Sequence, residues 1–191
     1  MQTASHAYWT WRLARDRPHS GPRVLGAVAP DLPAVGLGIA LSARGVSRDD
    51  LLDQIYLRPA WRWVHLAAHS LLSPAALLAV ARRHARAHSF AAGWIGHLLV
   101  DYLSHHTDAW PPLWPLSRRD WPSPVSYWEP SHHARLWSAT EAAAVALAAL
   151  TEHRPRRRLL GAAAWAMAGA PALLGRGRDL WTALGYEPET R

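Results

Sequence analysis

The 191-residue chain contains no cysteine, and all 21 of its basic residues are arginine. Without thiols, disulfides and thiolate metal sites are excluded, so any bound metal must be held by imidazole and carboxylate. The absence of lysine together with abundant Ala and Gly reads as a codon-composition bias and carries no functional weight. One phenylalanine stands against 12 tryptophans. β-Branched residues are sparse beside Ala and Leu, a balance that favours helices over strands. Long apolar runs are also missing. Leu159–Leu174 is uncharged but shorter than the ~20 residues a membrane span normally needs. No basic stretch followed by an apolar one opens the chain, so MQTASHAYWTWRLARDR is not expected to act as a secretory signal.

What is present is enough for one domain with a buried core, since half of the residues are hydrophobic. The formal charge of +7 makes an acidic partner plausible, such as phospholipid headgroups. Nucleic acid is not expected, because the arginines are scattered over many segments and no binding motif is visible. The expectation is an all-α, single-domain helical bundle over residues 1–191 with about six or seven helices. Runs at 4–16, 60–72, 73–88, 89–106 and 132–152 read as helices, and Ser47–Asp50 reads as another helix start. The apolar stretch 24–43 should break near Asp31, which stands between Pro30 and Pro33. Residues 107–131, with six prolines and four tryptophans, form a long irregular loop. Residues 159–175 are a candidate membrane-associated C-terminal helix, with the basic knot Arg154–Arg158 in front of it.

The strongest chemical signal is the stretch Gly96 to His106, GHLLVDYLSHH. Residues four apart lie above one another on a helix, so His97, Asp101 and His105 form a stripe with His106 beside it. Imidazole and carboxylate in that pattern suit zinc or another divalent ion. Burying such groups is costly unless a cation or a hydrogen-bond network pairs them. His65 and His69 have the i, i+4 spacing of a ligand pair, with His69 the better candidate. His84 and His88 share that spacing but sit among Arg82, Arg83 and Arg86, and read as an exposed basic surface. Asp31 either caps the following helix or presents a carboxylate from a rigid turn. His133, Trp137 and Glu141 share one helical face. His6 and His133 are further candidate ligands.

Taken in order, these motifs resemble bacterial membrane-bound metal-dependent hydrolases. Gly26 to Asp31 matches a G-x-x-x-P-D pattern, and His69-Ser70 a T-H-S-type segment. Gly93 to Asp101 matches G-x-x-x-H-L-x-x-D, and Leu113-Trp114-Pro115-Leu116 supplies a W-P motif. His97, Asp101 and His105 or His106 are also similar, more distantly, to zinc-dependent phospholipase C and single-strand nuclease proteins. Their later H-x-x-x-E is absent, since Leu136 and Trp137 stand four after His132 and His133, and their N-terminal tryptophan ligand has no counterpart. Those departures fit a one- or two-metal site. The resemblance implies a phospholipase C-like, zinc- or manganese-dependent hydrolase of phosphoesters, including phospholipids, in the cytoplasm or associated with the inner membrane. Asp31, His69, His97 and Asp101 would be ligands. Glu141 or Asp108 would orient or deprotonate a metal-bound water, and Arg118 and Arg119 would hold the phosphate. The rival expectation is a metal-stabilised helical scaffold without turnover.

Overall fold

The computed structural model describes residues 2–46 and 59–169. Among these the ordered elements are helical: α1 (Thr3–Ala14), α2 (Ser20–Val28), α3 (Leu32–Ser42), α4 (Pro59–Ala68), α5 (Leu72–Val80), α6 (Ala85–Asp101), α7 (Ala134–Leu150) and α8 (Pro155–Ala164). A 3-10 turn at Pro130–His132 precedes α7, and α8 ends in a π-helical turn at Trp165–Gly169. The all-α expectation holds, with eight α-helices among the described residues; the helix boundaries expected at 72–73 and 88–89 fall earlier, at His69–Leu71 and Ala81–His84. The helix start expected at Ser47–Asp50 and residues 170–175 lie outside the described residues.

Proline marks helix starts here. Pro33 lies in the first turn of α3 and Pro155 opens α8, positions whose N–H has no partner inside a helix anyway. Pro74 sits in the first turn of α5, so the helix begins at Leu72, just ahead of it. α2 starts after His19, which turns the chain in the left-handed region with φ 59°.

The closest helix pair is α2 against α6. A Cβ on Gly26 would fall 1.9 Å from the carbonyl oxygen of Phe90, and one on Gly93 would fall 1.9 Å from that of Arg23. Only hydrogen fits at either crossing point, so the two backbones run in direct contact. α1 packs on α2, and α5 on α6. On the other side α7, α8 and α1 enclose an apolar core of Tyr8, Val145, Ala148 and Ala164, flanked by Trp9, Trp11 and Trp165. Arg12 of α1 and Arg15 at its C-cap both pair with Glu152, just after α7.

The long loop at 107–131 is irregular, as expected, and it laces back onto the chain leaving α6. The amide of Ser123 donates to the carbonyl of His105 at 2.8 Å, and that of Tyr127 to Ser104 at 2.9 Å. Ser123 Oγ donates to the carbonyl of Leu103 at 2.9 Å. Further on, the Leu71 amide bonds to Pro112 and Ser70 Oγ to the carbonyl of Trp114. Carbonyls left over at a helix end are satisfied this way.

Candidate metal centre

Four side chains from three places in the chain meet behind the α2–α6 crossing. Asp31 sits at the bend between α2 and α3, His69 at the bend between α4 and α5, and His97 and Asp101 one turn apart on α6. One ligand atom from each lies within 4.8 Å of all the others. Nε2 of His97 is 2.9 Å from Asp101 Oδ2 and 3.6 Å from Asp31 Oδ1. Nε2 of His69 is 3.8 Å from Asp31 Oδ1 and 4.0 Å from Asp101 Oδ2. Tetrahedral ligands with bonds of about 2.0–2.1 Å lie roughly 3.3–3.5 Å apart, within the range of these separations.

The supporting hydrogen bonds decide which atoms face inward. His97 Nδ1 donates to the carbonyl of Ala27 at 2.7 Å, and His69 Nδ1 to that of His65 at 3.0 Å. In a neutral ring this leaves Nε2 as a bare lone pair, the form a metal requires. His97 Nε2 is buried and makes no aligned hydrogen bond despite its closeness to Asp101. A lone pair aimed at carboxylate oxygens is repulsive unless a cation or a proton lies between them. Asp31 is held in the same manner: Thr3 Oγ1 donates to its Oδ2 at 2.6 Å, leaving Oδ1 for the cluster. Its side chain makes no capping hydrogen bond to α3, so of the two readings of this residue the cap is not the one adopted. The donor set therefore fits a divalent cation.

Electrostatics agree with that geometry. Burial alone would raise the pKa of Asp101, but the positive charge around it and the facing rings of His105, His6 and His97 hold it well below the usual carboxylate range. Burial likewise opposes ionisation of Asp31, and His69 and His97 outweigh it, so its pKa falls. For His105, burial disfavours the charged ring, yet Asp101 and Asp108 push its pKa up to about 9.

The remaining sequence candidates fall into distinct positions. His6, from α1, stacks on His97 with ring centroids 3.9 Å apart and donates from Nε2 to Asp101 Oδ1 at 2.9 Å. His105 Nε2 lies 3.6 Å from the same oxygen. Asp108 reaches the site through His105, accepting from its Nδ1 at 2.7 Å and from Trp128 Nε1 at 2.9 Å. His106 and His133 are outside the four-residue cluster. His106 donates to the carbonyl of Ser123 and stacks on His132 at 3.6 Å, while His133 turns the chain into α7 with φ 65°. Glu141 accepts from Trp137 Nε1 at 3.1 Å. Arg118 and Arg119 are exposed in the long loop.

Sequence reasoning missed Thr3 and the backbone carbonyls of Ala27 and His65, which orient three of the four cluster residues. It also missed Trp110, whose ring stacks against His65 and His69 at 5.6 and 5.5 Å and walls the site. Enclosure of His65 by these rings pushes its pKa down to about 4. No sequence signal marks a carbonyl. Thr3 was findable only as a hydroxyl near an expected helix start.

Comparison with known protein families, curated proteins and solved structures gives no match. The chain is thus an all-α protein with a buried His/Asp cluster suited to a divalent metal ion.

Proposed function

We propose that this protein is a metal-dependent hydrolase of phosphoesters, with Asp31, His69, His97 and Asp101 holding the ion. The observation that carries this reading is the pair of histidines with Nδ1 tied to backbone carbonyls and Nε2 turned toward two carboxylates. A set of imidazole and carboxylate donors suits zinc, with manganese the next choice. The bound ion would polarise a phosphoryl oxygen and lower the pKa of a water toward neutrality. The Asp31 side chain, at 22% exposure, is the most open of the four and marks the side from which water and substrate would enter. Asp101 has a second face, where Oδ1 with His6 and His105 offers a position for another ion. His105, held by Asp108 at Nδ1, stands at that face with Nε2 3.6 Å from Oδ1, so Asp108 would act through it.

A lipid phosphoester fits the surroundings. α3 (LPAVGLGIALS) and α5 (LSPAALLAV) carry no charge, and Leu32, Val35, Ile39 and Val80 are exposed on them. Among the described residues no single helix is long and apolar enough to cross a membrane, but α2 with α3 and α4 with α5 form bent apolar pairs at 61° and 67°. Each bend carries a cluster residue, Asp31 in one and His69 in the other. This arrangement supports association with a lipid surface on the α3 and α5 side.

A second reading rests on the donor count, because four protein ligands also suit a closed structural zinc site. Elemental analysis of the purified protein is the first test, beside His97→Ala and the exposed His84→Ala. Near-stoichiometric zinc or manganese, lost with the first change and kept with the second, is expected. Metal-dependent hydrolysis of bis(p-nitrophenyl) phosphate or a short-chain phospholipid then separates the hydrolase from the scaffold. A protein that takes up no ion even on reconstitution ends both readings.

A further inference from the structure

His88, of the i, i+4 pair with His84, and the neighbouring Arg82 and Arg83 have no part in the metal centre, yet they line a concavity of the described residues. A cavity of about 710 Å³ opens between the α1–α2 turn, the end of α5 and the start of α6. Its polar wall includes Arg23, Arg82, Arg83, His19 and His88, and no lining residue is acidic. Among the described residues, none of the three arginines has an ion-pair partner. Nε of Arg23 is shielded from solvent and has no hydrogen-bond partner among the described residues. Three guanidinium groups held around one space without a counter-charge repel one another, and an anion between them removes that cost.

Backbone dipoles add to this field. α2 and α6 both begin at the cavity rim, at His19–Ser20 and His84–Ala85. Neither start has a capping side chain, and neither first turn contains an acid. The positive ends of two helices therefore lie at the same opening as the arginines. Ser89 Oγ fixes the rim by donating to the carbonyl of His19 at 2.8 Å. Leu78 and Ile95 supply an apolar part of the lining.

We propose that this cavity is a second ligand site, separate from the metal centre, that binds a phosphate group between Arg23, Arg82 and Arg83. The apolar part of the ligand rests on Leu78 and Ile95. His88, at the phosphate end, lies nine residues and roughly 14 Å along α6 from His97, while Ile95, at the apolar end, lies two residues from it. The cavity is a place to hold a phosphate, not to cleave it, and it stands whether or not the hydrolase reading does.

Arginine side-chain NMR of the full-length protein tests this locally, because the buried Arg23 Nε–H reports on the cavity and not on phosphate coordinated by a metal. Inorganic phosphate and dihexanoyl phosphatidate serve as the two probes. The Arg23 signal is expected to move in the wild type. In the exposed double variant R82A/R83A, with its fold checked by circular dichroism, the affinity is expected to fall about tenfold or more, as loss of charge-assisted bonds implies. R118A/R119A should bind like the wild type. Movement with both probes assigns recognition to the phosphate itself, and movement with phosphatidate alone assigns the site to a lipid headgroup. An Arg23 signal that stays fixed with both probes, or moves equally in R82A/R83A, overturns the proposal.

Discussion

The helices of this chain meet around two unlike centres. Among α1, α7 and α8 the contact is apolar, with Tyr8, Val145, Ala148 and Ala164 buried against tryptophans. Behind the α2–α6 crossing the buried residues are His6, His69, His97 and Asp101. The first centre tolerates substitution in proportion to the volume lost, since any apolar group of suitable size keeps water out. The second has no such latitude. Its backbones touch at Gly26 and Gly93, and the carbonyl of Ala27 that this contact delivers is the one that orients His97. Close helix approach in this protein serves ligand placement, whereas side-chain filling serves stability.

The comparison is broken most forcefully at Gly93. A methyl group there meets the Arg23 carbonyl and the Ala27 amide, both backbone atoms that cannot rotate away. Gly93→Ala is expected to cost about 3 kcal/mol, the upper end of ordinary overpacking, and to abolish metal binding by shifting the Ala27 carbonyl. Val145→Ala in the apolar core should cost about 1.6 kcal/mol, from two methyl-sized groups, and leave metal content unchanged. Thermal melts with metal analysis on both variants check the pair. Equal metal loss in the two would show that the centres are not separable.

A smaller effect belongs to Thr3. Its hydroxyl donates to Asp31 Oδ2 and lies outside the four-residue cluster. Thr3→Val keeps the shape and removes the donor, freeing the carboxylate to rotate. Metal affinity should fall about tenfold, the lower end of what outer hydrogen bonds contribute. Competition against a fluorescent chelator measures it, and an unchanged affinity would remove Thr3 from the support of the site.

The same contrast explains what could be read from sequence. His97 and Asp101 were legible because a helix puts residues four apart on one face, and a polar stripe among Ile95, Leu98 and Leu99 is costly without a partner. Asp31 was legible as a carboxylate between prolines, although the choice between cap and ligand needed the Thr3 contact. His65 and His69 could not be separated by spacing. Both rings are buried, but His65 serves the cluster through its carbonyl and His69 through its ring. His84 and His88 show the same spacing with no such enclosure. The breaks expected at 72–73 and 88–89 fall earlier, at 69–71 and 81–84, for a plain reason. The first falls ahead of Pro74, which a first helical turn accommodates, and ARRHARA contains neither proline nor glycine to mark the second. The long Pro- and Trp-rich loop was recognised as irregular, but its hydrogen bonds to Leu103, Ser104 and His105 join backbone atoms that carry no sequence signature.

Beside the apolar centre lies a charged cluster around Glu152, and it gives the smallest and cleanest test. Glu152 is paired by Arg12 and Arg15, and the Arg15 hydrogen bond, outweighing a smaller opposing effect of desolvation, lowers its pKa from the ordinary 4.5. A carboxylate with a depressed folded-state pKa binds fewer protons folded than unfolded. Its contribution to stability is therefore present above pH 4.5 and declines as the pH falls through the lower folded value. Glu152→Gln should melt below the wild type at neutral pH, and the gap should close as the solution is acidified past that window. High salt should narrow the gap at neutral pH as well, since this contact faces solvent on its arginine side. The α2–α6 centre is not sensed by this variant, so its metal content should stay level across the neutral range. A gap in melting temperature that persists to low pH would mean that Glu152 acts by packing and not by charge, and the apolar centre would then draw nothing from the charges beside it.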